Sequence, residues 1–213
     1  MAKYPDMRIK TVQVSAFATN CYIVFDEKTN DAVIIDPGAE PARIMEAARG
    51  LNLKAVFLTH AHCDHLGAAA YFQKNMQLPV WLHGDDVPML DTCVSQAEAF
   101  GLTSCTEVPE PDYLFEEGKA VQAGTLTFRI LHTPGHSPGG VVIICGSEAF
   151  CGDTIFCGSV GRTDFPGGDH SKLMDSIRRK VYMLPDEMAL YPGHGPSTLV
   201  GSEKRSNPFV RPF

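Results

Sequence analysis

Residues 59–65 read Thr-His-Ala-His-Cys-Asp-His and place four metal-type ligands within six residues. They are His60, His62, Asp64 and His65. Imidazole and carboxylate groups bind zinc and iron, and a bound cation makes water acidic and polarises carbonyl groups. In an extended chain His60 and His62 point to the same side, so the two rings can bind one metal. Because four ligands would crowd one tetrahedral ion that keeps a position open for water, the spacing favours two adjacent metals.

The segments on either side of this motif predict how the ligands are held. Residues 54–58 form a short apolar run with β-branched and aromatic members, which is typical of a strand, and residues 66–72 are small and apolar in the manner of a helix. The ligands are therefore predicted to lie on a strand-to-helix turn, where a rigid strand supports exposed side chains. The alternative, a solvated loop of hydrogen-bonded histidines, is disfavoured because such clusters are rare by chance.

Three further metal-type residues, His136, Asp153 and His194, share one sequence context. Each follows a strand-like run and lies in a Pro/Gly turn or beside a glycine. Several strands would therefore present these side chains at one edge of a sheet. Together with the first motif they form a set sufficient for two metals and a bridging carboxylate: His60, His62, Asp64, His65, His136, Asp153 and His194.

The rest of the chain predicts a mixture of strands and helices. Strands are predicted by alternation or by short apolar runs at residues 7–15, 20–26, 31–36, 78–82, 124–132, 141–145, 149–153 and 188–191. Helices are predicted from Pro41 to just before Gly50 and over residues 171–184, where apolar and basic residues fall largely on opposite faces. Residues 83–111 are less regular, and we expect short helices or loops there that line one wall of a site.

Length and composition predict a single domain spanning residues 1–213. The chain is 44% hydrophobic and 20% charged, as in an ordinary globular protein, and it carries a net charge of -7. That charge disfavours nucleic acid as a partner, and no apolar run reaches the length needed to cross a membrane. The first residues lack a secretion-signal pattern and the seven cysteines form no regular framework, so we expect free thiols and a cytoplasmic protein.

These motifs resemble those of the metallo-β-lactamase superfamily, and within it the glyoxalase II-like hydrolases. The His-x-His-x-Asp-His motif at 60–65, the Thr-Pro-Gly-His turn at 133–136, the Gly-Asp pair at 152–153 and the Gly-His pair at 193–194 occur in that family's order. The resemblance spans nearly the whole chain. It implies an αββα sandwich, an α/β fold in which two mixed β-sheets pack face to face with helices outside.

The resemblance also implies roles for the candidate residues. It assigns the first metal to His60, His62 and His136 and the second to Asp64, His65 and His194, with Asp153 as a bridge. The implied cofactors are two divalent ions, with zinc expected first and iron or manganese as alternatives. Asp64 and Asp153 would be catalytic as well as ligating, because they would orient a hydroxide held between the metals for attack on a thioester.

Within that group, the chain resembles a short bacterial subgroup of glyoxalase II enzymes. Residues 158–170, Gly-Ser-Val-Gly-Arg-Thr-Asp-Phe-Pro-Gly-Gly-Asp-His, and the Asn-Pro-Phe at 207–209 match that subgroup. The implied substrate is a small-molecule thioester, S-lactoylglutathione, which would yield lactate and glutathione. The longer enzymes bind glutathione partly through a C-terminal helical extension. Only about twenty residues follow His194 here, so we expect those contacts to be missing. Arg162 falls where the longer enzymes place a cation for glutathione, so it is the candidate substrate-binding residue, with a structural ion pair to Asp164 or Asp169 as the alternative.

Other functions fit the same ligands. Persulfide dioxygenases of the same fold also resemble residues 161–165, Gly-Arg-Thr-Asp-Phe, and hold one iron with two histidines and one aspartate, here His60, His136 and Asp153. The Gly-Pro pair at 195–196 favours the hydrolases.

A nucleic-acid-processing enzyme is disfavoured by the acidic charge, and a non-catalytic binding module by the complete ligand set. The sequence leaves open the acyl group, the thiol carrier, the native metal and the oligomeric state.

The remaining histidines and cysteines are expected to have structural roles. His83 and His170 are predicted as surface or helix-capping residues, and His132, which ends a strand four residues before His136, as a support for the metal site. Cys63 lies inside the first motif and is predicted to be a bystander thiol. Five further cysteines are predicted to be small packing residues: Cys93, Cys105, Cys145, Cys151 and Cys157.

Overall fold

The structure is a computed structural model that describes residues 6–212. Residues 1–5, which make up most of the segment without a secretion-signal pattern, lie outside the described residues, as does residue 213. The strands are β1 Met7–Val14, β2 Thr19–Asp26, β3 Asp31–Ile35, β4 Asn52–Phe57, β5 Val80–His83, β6 Tyr113–Phe115, β7 Ala120–Ala123, β8 Leu126–His132, β9 Val141–Cys145, β10 Glu148–Gly152, β11 Ile155–Phe156, β12 Ser159–Val160, β13 Ala189–Pro192 and β14 Thr198–Leu199. The α-helices are α1 Pro41–Ala47, α2 Cys63–Leu66, α3 Ala69–Met76, α4 Leu90–Ala99, α5 His170–Arg179 and α6 Val200–Ser206. Short 3-10 helices cover Gly84–Met89 and Val181–Met183.

Most strands belong to two mixed sheets. In the first sheet the order is β1-β2-β3-β4-β5-β6, with antiparallel pairing among β1, β2 and β3 and parallel pairing from β3 to β6. In the second sheet the order is β14-β13-β10-β9-β8-β7, where β10 and β13 run parallel and the other neighbours antiparallel. The short strands β11 and β12 form a separate hairpin.

The alternation of side chains along buried strands divides the core into layers. In β2, Ile23 packs with the helices on the outer face of the first sheet, whereas Val24 packs between the sheets. Val56 and Phe57 of β4 divide in the same way. Strands that are buried on both faces have continuous apolar sequences, which is why short apolar runs predict these strands.

Helices cover the outer faces of both sheets. Ile44 of α1 and Phe72 of α3 pack on the first sheet, and Leu173 of α5 packs on the second. Asp169 caps α5, because its carboxylate accepts a hydrogen bond from Lys172 N. Within residues 6–212, none of the helices has the length and apolar character that crossing a bilayer requires. The architecture is an αββα sandwich, as the resemblance implied.

Some elements differ from the sequence-based prediction. The predicted helix over residues 171–184 is wrong in its extent, because α5 ends at Arg179 and Lys180 leaves helical geometry with φ -123° and ψ -58°. The Lys180 ammonium donates to the carbonyl of His132 at 2.6 Å. Short helices do occupy the irregular stretch at 83–111, as expected. The short elements that the sequence did not predict are β6, β7, β11, β12, β14 and α6.

The candidate ligands follow strands at one end of the sandwich. His60 comes after β4, His136 after β8, Asp153 after β10 and His194 after β13. Because β10 and β13 are parallel neighbours, their carboxyl ends place Asp153 and His194 close together. The two sheets therefore deliver ligands that are distant in sequence to one place.

Candidate metal centre

His60, His62 and His136 form the first group of side chains that meet at this end of the sandwich. The three side chains are buried, and one ligand atom from each lies within 4.8 Å of the others. His60 Nε2 and His136 Nε2 are 3.3 Å apart. Two nitrogens bound to one tetrahedral Zn²⁺, each at about 2.0–2.1 Å, have about this separation. The group therefore has the composition and spacing of three ligands to one metal ion.

Asp64, His65 and His194 form the second group, with ligand atoms that also lie within 4.8 Å of one another. His194 Nε2 lies 3.2 Å from Asp64 Oδ2, and His65 Nε2 lies 3.6 Å from the same oxygen. Asp64 and His65 belong to the short helix α2, which follows the first sheet's β4, whereas His194 follows β13 of the second sheet. Each sheet thus contributes ligands to this group.

Asp153 lies between the two groups. Its Oδ2 is 3.6 Å from His136 Nε2 in the first group and 3.7 Å from His194 Nε2 in the second. Its Oδ1 is 3.4 Å from His65 Nε2. This is the position that a carboxylate would need in order to bridge two adjacent metals. The structure thus brings together every candidate metal ligand predicted from the sequence.

In four of the candidate histidine ligands, Nδ1 contacts a neighbouring oxygen atom. The contacts to Nδ1 are Thr59 Oγ1 for His60 (3.0 Å), Asp36 Oδ2 for His65 (2.9 Å), the Arg162 carbonyl for His136 (2.8 Å) and the Phe17 carbonyl for His194 (3.1 Å). A histidine whose Nδ1–H donates to an oxygen presents Nε2 as the acceptor for a metal. These contacts therefore hold each ring with Nε2 available to the centre.

Asp36 is a supporting residue that the sequence analysis did not single out. It is buried after β3, and its carboxylate accepts hydrogen bonds from Thr59 N (2.7 Å), Thr59 Oγ1 (2.6 Å) and His65 Nδ1. Its φ of 52° lies in the left-handed region, which Asp tolerates better than most residues. Asp36 thereby joins the start of the first motif to the ring of His65. The Asp-Pro-Gly turn at the end of a predicted strand was the signal that could have identified it.

Asp86 joins the two loops that carry the first histidine group. Its side chain is fully buried and accepts hydrogen bonds from Ala61 N (3.0 Å), Ser137 Oγ (2.9 Å) and Gly139 N (2.5 Å). Ala61 lies between the two histidines of the first motif, and Ser137 follows the third histidine of the group. Burial raises the pKa of Asp86, while the three donors act in the opposite direction. No local motif marks Asp86, because its partners are distant in sequence.

Gly193 leaves room for the centre. A Cβ atom at this position would lie 2.3 Å from Asp153 Oδ1 and 2.4 Å from His65 Cε1, so a larger residue would displace two ligands. Gly193 N also donates to the carbonyl of Gly152, and its own carbonyl accepts from Asn20 N. This close approach explains the glycine of the Gly-His pair at 193–194.

The chain matches the model of the metallo-beta-lactamase superfamily over residues 14–194, a span that contains both ligand groups. This chain belongs to the metallo-β-lactamase superfamily. The superfamily is one of metal-dependent hydrolases, in agreement with the ligand types at the centre.

Known proteins are similar to this chain over almost its whole length, which agrees with the superfamily assignment. The hydroxyacylglutathione hydrolase GloC of Haemophilus influenzae is 39% identical over 209 residues, which cover 96% of this chain and 98% of that protein. The crystal structure of the B3 metallo-beta-lactamase BLEG-1 is 35% identical, with a TM-score of 0.89, and covers 95% of this chain and 99% of that one. The di-iron-bound structure of TTHA1623 is 40% identical, with a TM-score of 0.84, and covers 94% of this chain and 100% of that one. These matches confirm the αββα sandwich.

Burial keeps two histidines of the first group, His60 and His62, neutral. Burial and the neighbouring His136 lower the pKa of His62 to about 3, in spite of the nearby charge of Asp153. Burial, together with the neighbouring histidines, also lowers the pKa of His60 far below its usual value. A neutral imidazole has the free lone pair that metal ligation requires. His60 and His62 are therefore in the protonation state of a metal ligand.

Around His65 of the second group, the charges of neighbouring residues outweigh the effect of burial on the pKa. Burial acts to lower the pKa of His65, but the charges of Asp64, Asp153 and Asp36 outweigh it and raise that pKa well above its usual value. Burial likewise acts to raise the pKa of Asp153, but the charge of His65 outweighs it and the pKa falls to about 2. These carboxylates stabilise positive charge here, so a divalent cation would replace the proton on His65.

Two buried polar atoms indicate that the centre fits metal ions. Among the described residues, His65 Nε2 and Asp153 Oδ1 are the buried side-chain nitrogen and oxygen atoms without a hydrogen-bond partner. They lie 3.4 Å apart, one in the second ligand group and the other on Asp153 between the groups. A buried polar atom without a partner is costly, and a bound cation would satisfy both atoms at once. The residues present therefore fit divalent metal ions.

A cavity of about 360 Å³ opens above the centre. Ligands from both groups form its base, and its walls include Phe17, Phe100, Phe165 and Arg162. Phe100 directly follows α4, so the irregular stretch at 83–111 does line one wall of the site, as expected. The volume is that of an ordinary small-molecule site.

Arg162 lines this cavity, but its charge is already paired. Its Nε and Nη2 atoms donate to the two oxygens of Asp164, each at 2.7 Å, and this contact lowers the pKa of Asp164 to about 2. The guanidinium carbon also lies 3.7 Å from the centre of the Phe165 ring. Asp169 instead caps α5. The structure thus places the candidate substrate-binding residue at the cavity, and it also shows the ion pair with Asp164 that was the alternative prediction for Arg162.

His83 and His132 lie outside the centre. Their rings stack with centroids 4.0 Å apart, and with Asp85 they form a further cluster of metal-type side chains. The nitrogens nearest Asp85 already have partners, since His83 Nδ1 accepts from Asp85 N (3.2 Å) and His132 Nε2 donates to the Pro138 carbonyl (2.9 Å). His83 therefore caps a helix, and His132 supports the turn that carries His136, as predicted.

All seven cysteines are free thiols, and one prediction about them is wrong. Cys157 is exposed rather than packed, because it lies in the turn that joins β11 to β12. Cys63 lines the cavity, but burial raises its pKa to about 11. A thiol with so high a pKa stays protonated at neutral pH, which agrees with its prediction as a bystander.

Proposed function

We propose that the protein hydrolyses thioesters with two divalent metal ions, and that its substrate is a hydroxyacyl thioester of glutathione such as S-lactoylglutathione. One observation carries the proposal: two ligand groups meet on either side of Asp153 at the base of a cavity of substrate size. In support, the chain is 39% identical to a hydroxyacylglutathione hydrolase. The products would be lactate, or the corresponding hydroxy acid, and the free thiol.

The metal-binding residues would divide between two ions. The proposed ligands are His60, His62 and His136 for the first ion, Asp64, His65 and His194 for the second, and Asp153 for both. Zinc is the first candidate, with iron or manganese as alternatives, because imidazole and carboxylate ligands suit all three. Divalent ions held there would polarise a thioester carbonyl and supply an acidic water at neutral pH.

The chain's own residues would orient the reacting groups. Asp64 and Asp153 present carboxylate oxygens between the ligand groups, where they can accept a hydrogen bond from an attacking water and fix its direction. Thr19 Oγ1 donates to Asp64 Oδ2 at 3.0 Å and so holds that carboxylate in place. A thiol has a reference pKa of about 8.5 and can leave as a thiolate, so the reaction needs no strong general acid.

Arg162 is the proposed substrate-binding residue. Its guanidinium has five N–H donors, and the pair with Asp164 leaves some of them for a substrate carboxylate. Asp164 would hold the guanidinium in one orientation and would also reduce its net charge. We therefore expect Arg162 to bind glutathione weakly rather than tightly.

We also propose the domain organisation, the class of substrate and the cellular compartment of the protein. We propose that residues 1–213 act as one domain on a small-molecule substrate rather than on nucleic acid, because a net charge of -7 repels a phosphate backbone. Seven free thiols support a reducing compartment such as the cytoplasm.

Hydrolysis of S-D-lactoylglutathione tests the proposed function. Protein purified without added metal would be compared with the same protein after chelation and after restoration of Zn²⁺, Fe²⁺ or Mn²⁺. We expect turnover that disappears on chelation and returns with a divalent metal. Metal-replete protein that leaves the thioester intact would contradict the proposal. A β-lactam in the same panel checks the activity that the name of BLEG-1 suggests.

Persulfide dioxygenase is the second candidate function. Its iron site of two histidines and one carboxylate would consist of His60, His136 and Asp153, with 3.3 Å between the two Nε2 atoms and 3.6 Å from His136 Nε2 to Asp153 Oδ2. A single iron would leave the equally complete second group without a role, which favours the hydrolase. Oxygen uptake with glutathione persulfide by iron-loaded protein, without thioester hydrolysis, would establish the dioxygenase instead.

A further inference from the structure

Three phenylalanine rings, those of Phe17, Phe100 and Phe165, form an aromatic arch over the candidate metal centre. The ring centroids are 6.1 Å apart for Phe17 and Phe100 and 6.0 Å apart for Phe100 and Phe165, within the range of aromatic contacts. Phe17 lies in the turn between β1 and β2, Phe100 directly follows α4, and Phe165 lies between β12 and α5. Three separate parts of the chain therefore build one aromatic surface.

Both ends of the aromatic arch contact candidate metal ligands. The Phe17 carbonyl accepts a hydrogen bond from His194 Nδ1 at 3.1 Å, and the Phe165 ring meets the His62 ring edge to face with centroids 5.8 Å apart. One end of the arch is thus beside the second ligand group and the other beside the first. All three phenylalanines line the cavity above the centre. A substituent next to the reacting carbon would therefore meet the arch.

The aromatic arch is an exposed apolar surface beside a polar reaction centre. Phe17 is 43% exposed and Phe100 is 46% exposed, although large apolar side chains are more often buried. Arg162 adds little charge to this wall, because Asp164 binds its Nε and Nη2 atoms and its guanidinium stacks on Phe165. An apolar ligand group would remove this surface from water, and an aromatic one would also gain ring contacts.

We propose that the aromatic arch binds the substituent of the acyl group, so that the preferred substrates are thioesters whose acyl group carries a large apolar, above all aromatic, substituent. This inference rests on the proposed thioester hydrolysis and adds the substrate class. The arch lies directly beside the ligands, where the acyl carbon must react, and the charged thiol carrier can extend to the mouth of the cavity. A methyl substituent, as in lactate, would cover much less of the arch than a phenyl ring.

Two substrates with the same thiol carrier test the proposal, since S-mandeloylglutathione carries a phenyl group where S-lactoylglutathione carries a methyl. The ratio of their kcat/KM values isolates the acyl substituent, because the thioester and glutathione are common to both. We expect the wild-type protein to favour the mandeloyl substrate and Phe100→Ala to lower the ratio about tenfold. Phe209→Ala is the matched control and should leave the ratio unchanged, because Phe209 is 59% exposed and is not among the residues that line the cavity.

The outcomes distinguish the roles that the aromatic arch could have. An unchanged ratio in Phe100→Ala, or a wild-type preference for the lactoyl substrate, would overturn the proposal. An equal loss for both substrates would also overturn it, because the arch would then hold the thiol half. Phe100→Leu keeps an apolar side chain at this position and controls for a folding defect in Phe100→Ala. It should lower the ratio less than Phe100→Ala does.

A binding measurement tests the aromatic arch independently of catalysis. The thioethers S-(2-hydroxy-2-phenylethyl)glutathione and S-(2-hydroxypropyl)glutathione copy the two substrates without the carbonyl. Isothermal titration calorimetry on metal-replete protein should show tighter binding of the phenyl compound, and Phe100→Ala should remove this preference. If the preference holds but neither thioester is hydrolysed, the proposed function fails and the role of the arch stands. Equal binding of the two thioethers would overturn the arch itself.

Discussion

Ring orientation is the residue-scale feature on which the metal centre depends. Four histidines have Nδ1 bound to an oxygen and Nε2 available to the centre. The sequence predicted which side chains meet, because the spacing within residues 60–65 is local and the other ligands follow strand-like runs in Pro/Gly turns or beside a glycine. It could not predict which nitrogen each ring presents, because partners such as Asp36 and the Phe17 carbonyl come from distant parts of the chain.

Asp36→Ala is expected to weaken metal binding by the second ligand group about 10–100-fold, because His65 loses the acceptor that fixes its ring. Competition with a chromophoric chelator measures the affinity of each bound metal. Asp175→Ala is the control, since Asp175 has a side chain that is 57% exposed on α5. Wild-type affinity for every bound metal in Asp36→Ala would contradict the role of Asp36 as a support for His65.

Arg162→Ala is expected to raise KM for S-D-lactoylglutathione about tenfold and to leave kcat little changed, because it removes a substrate contact away from the reacting carbon. The contact of the Arg162 carbonyl with His136 Nδ1 involves the backbone and survives the substitution. Steady-state kinetics of Arg162→Ala and Arg162→Lys give the two constants, and the lysine variant keeps the charge but loses the two-atom contact with Asp164. An unchanged KM in both variants would leave Arg162 with a structural role only.

At the scale of elements, the 3-10 helix Gly84–Met89 holds the ligand-bearing loops together. It places Asp86 against the loop after β4 and against the turn after β8, so one carboxylate fixes the spacing of the first histidine group. The sequence analysis expected short helices or loops in this stretch to line a wall of the site. It did not identify the carboxylate, because periodicity describes a helix and not the partners of its buried polar groups.

Asp86→Ala is expected to lower the free energy of unfolding by at least about 3 kcal/mol, because each buried donor that loses its acceptor costs about 1–3 kcal/mol. It should also weaken metal binding by the first histidine group. Urea denaturation followed by circular dichroism measures the first effect, and chelator competition measures the second. Asp85→Ala, at a neighbouring side chain that is 60% exposed, should change neither quantity. Wild-type stability in Asp86→Ala would show that the loops do not depend on this carboxylate.

The elements also show where sequence patterns stop being informative. β8 and the start of α5 were predictable because their apolar residues repeat with the strand and helix periods. The end of α5 was predicted too late, because the apolar spacing continues past Arg179 to Val181, which lies in the 3-10 helix Val181–Met183. The short strands β6, β7 and β14 have two to four residues each, too few for a pattern to be distinguished from a loop.

Across the whole molecule, the sandwich brings ligands together that are far apart in the sequence. The first sheet leads into residues 60–65, and the second sheet supplies His136, Asp153 and His194. Hydrophobic patterning alone predicts strands and helices but not the order of strands in each sheet. The family resemblance supplied the layers, two sheets packed face to face with helices outside, and the comparisons with known proteins confirm this fold.

Removal of metal is expected to lower Tm by about 5–10 °C. A ligand at 100 times its Kd stabilises the native state by about 2.7 kcal/mol, and each kcal/mol changes Tm by about 2–4 °C for a chain of this size. The buried carboxylates around His65, which the cation would neutralise, supply the physical reason. Differential scanning calorimetry with a chelator, and with the same chelator already saturated with metal as the control, measures the shift. An unchanged Tm after demonstrated loss of metal would show that the centre does not stabilise the fold.

Metal titration of the chelated protein, followed by hydrolysis of S-D-lactoylglutathione, tests most directly whether two metal ions in one centre hydrolyse a thioester. Mass spectrometry under native conditions counts the bound ions at each point of the titration. We predict that hydrolysis rises with added Zn²⁺ and reaches its plateau when each chain holds two ions. A plateau at one ion per chain, or no hydrolysis by protein that holds two, would contradict a two-metal thioester hydrolase.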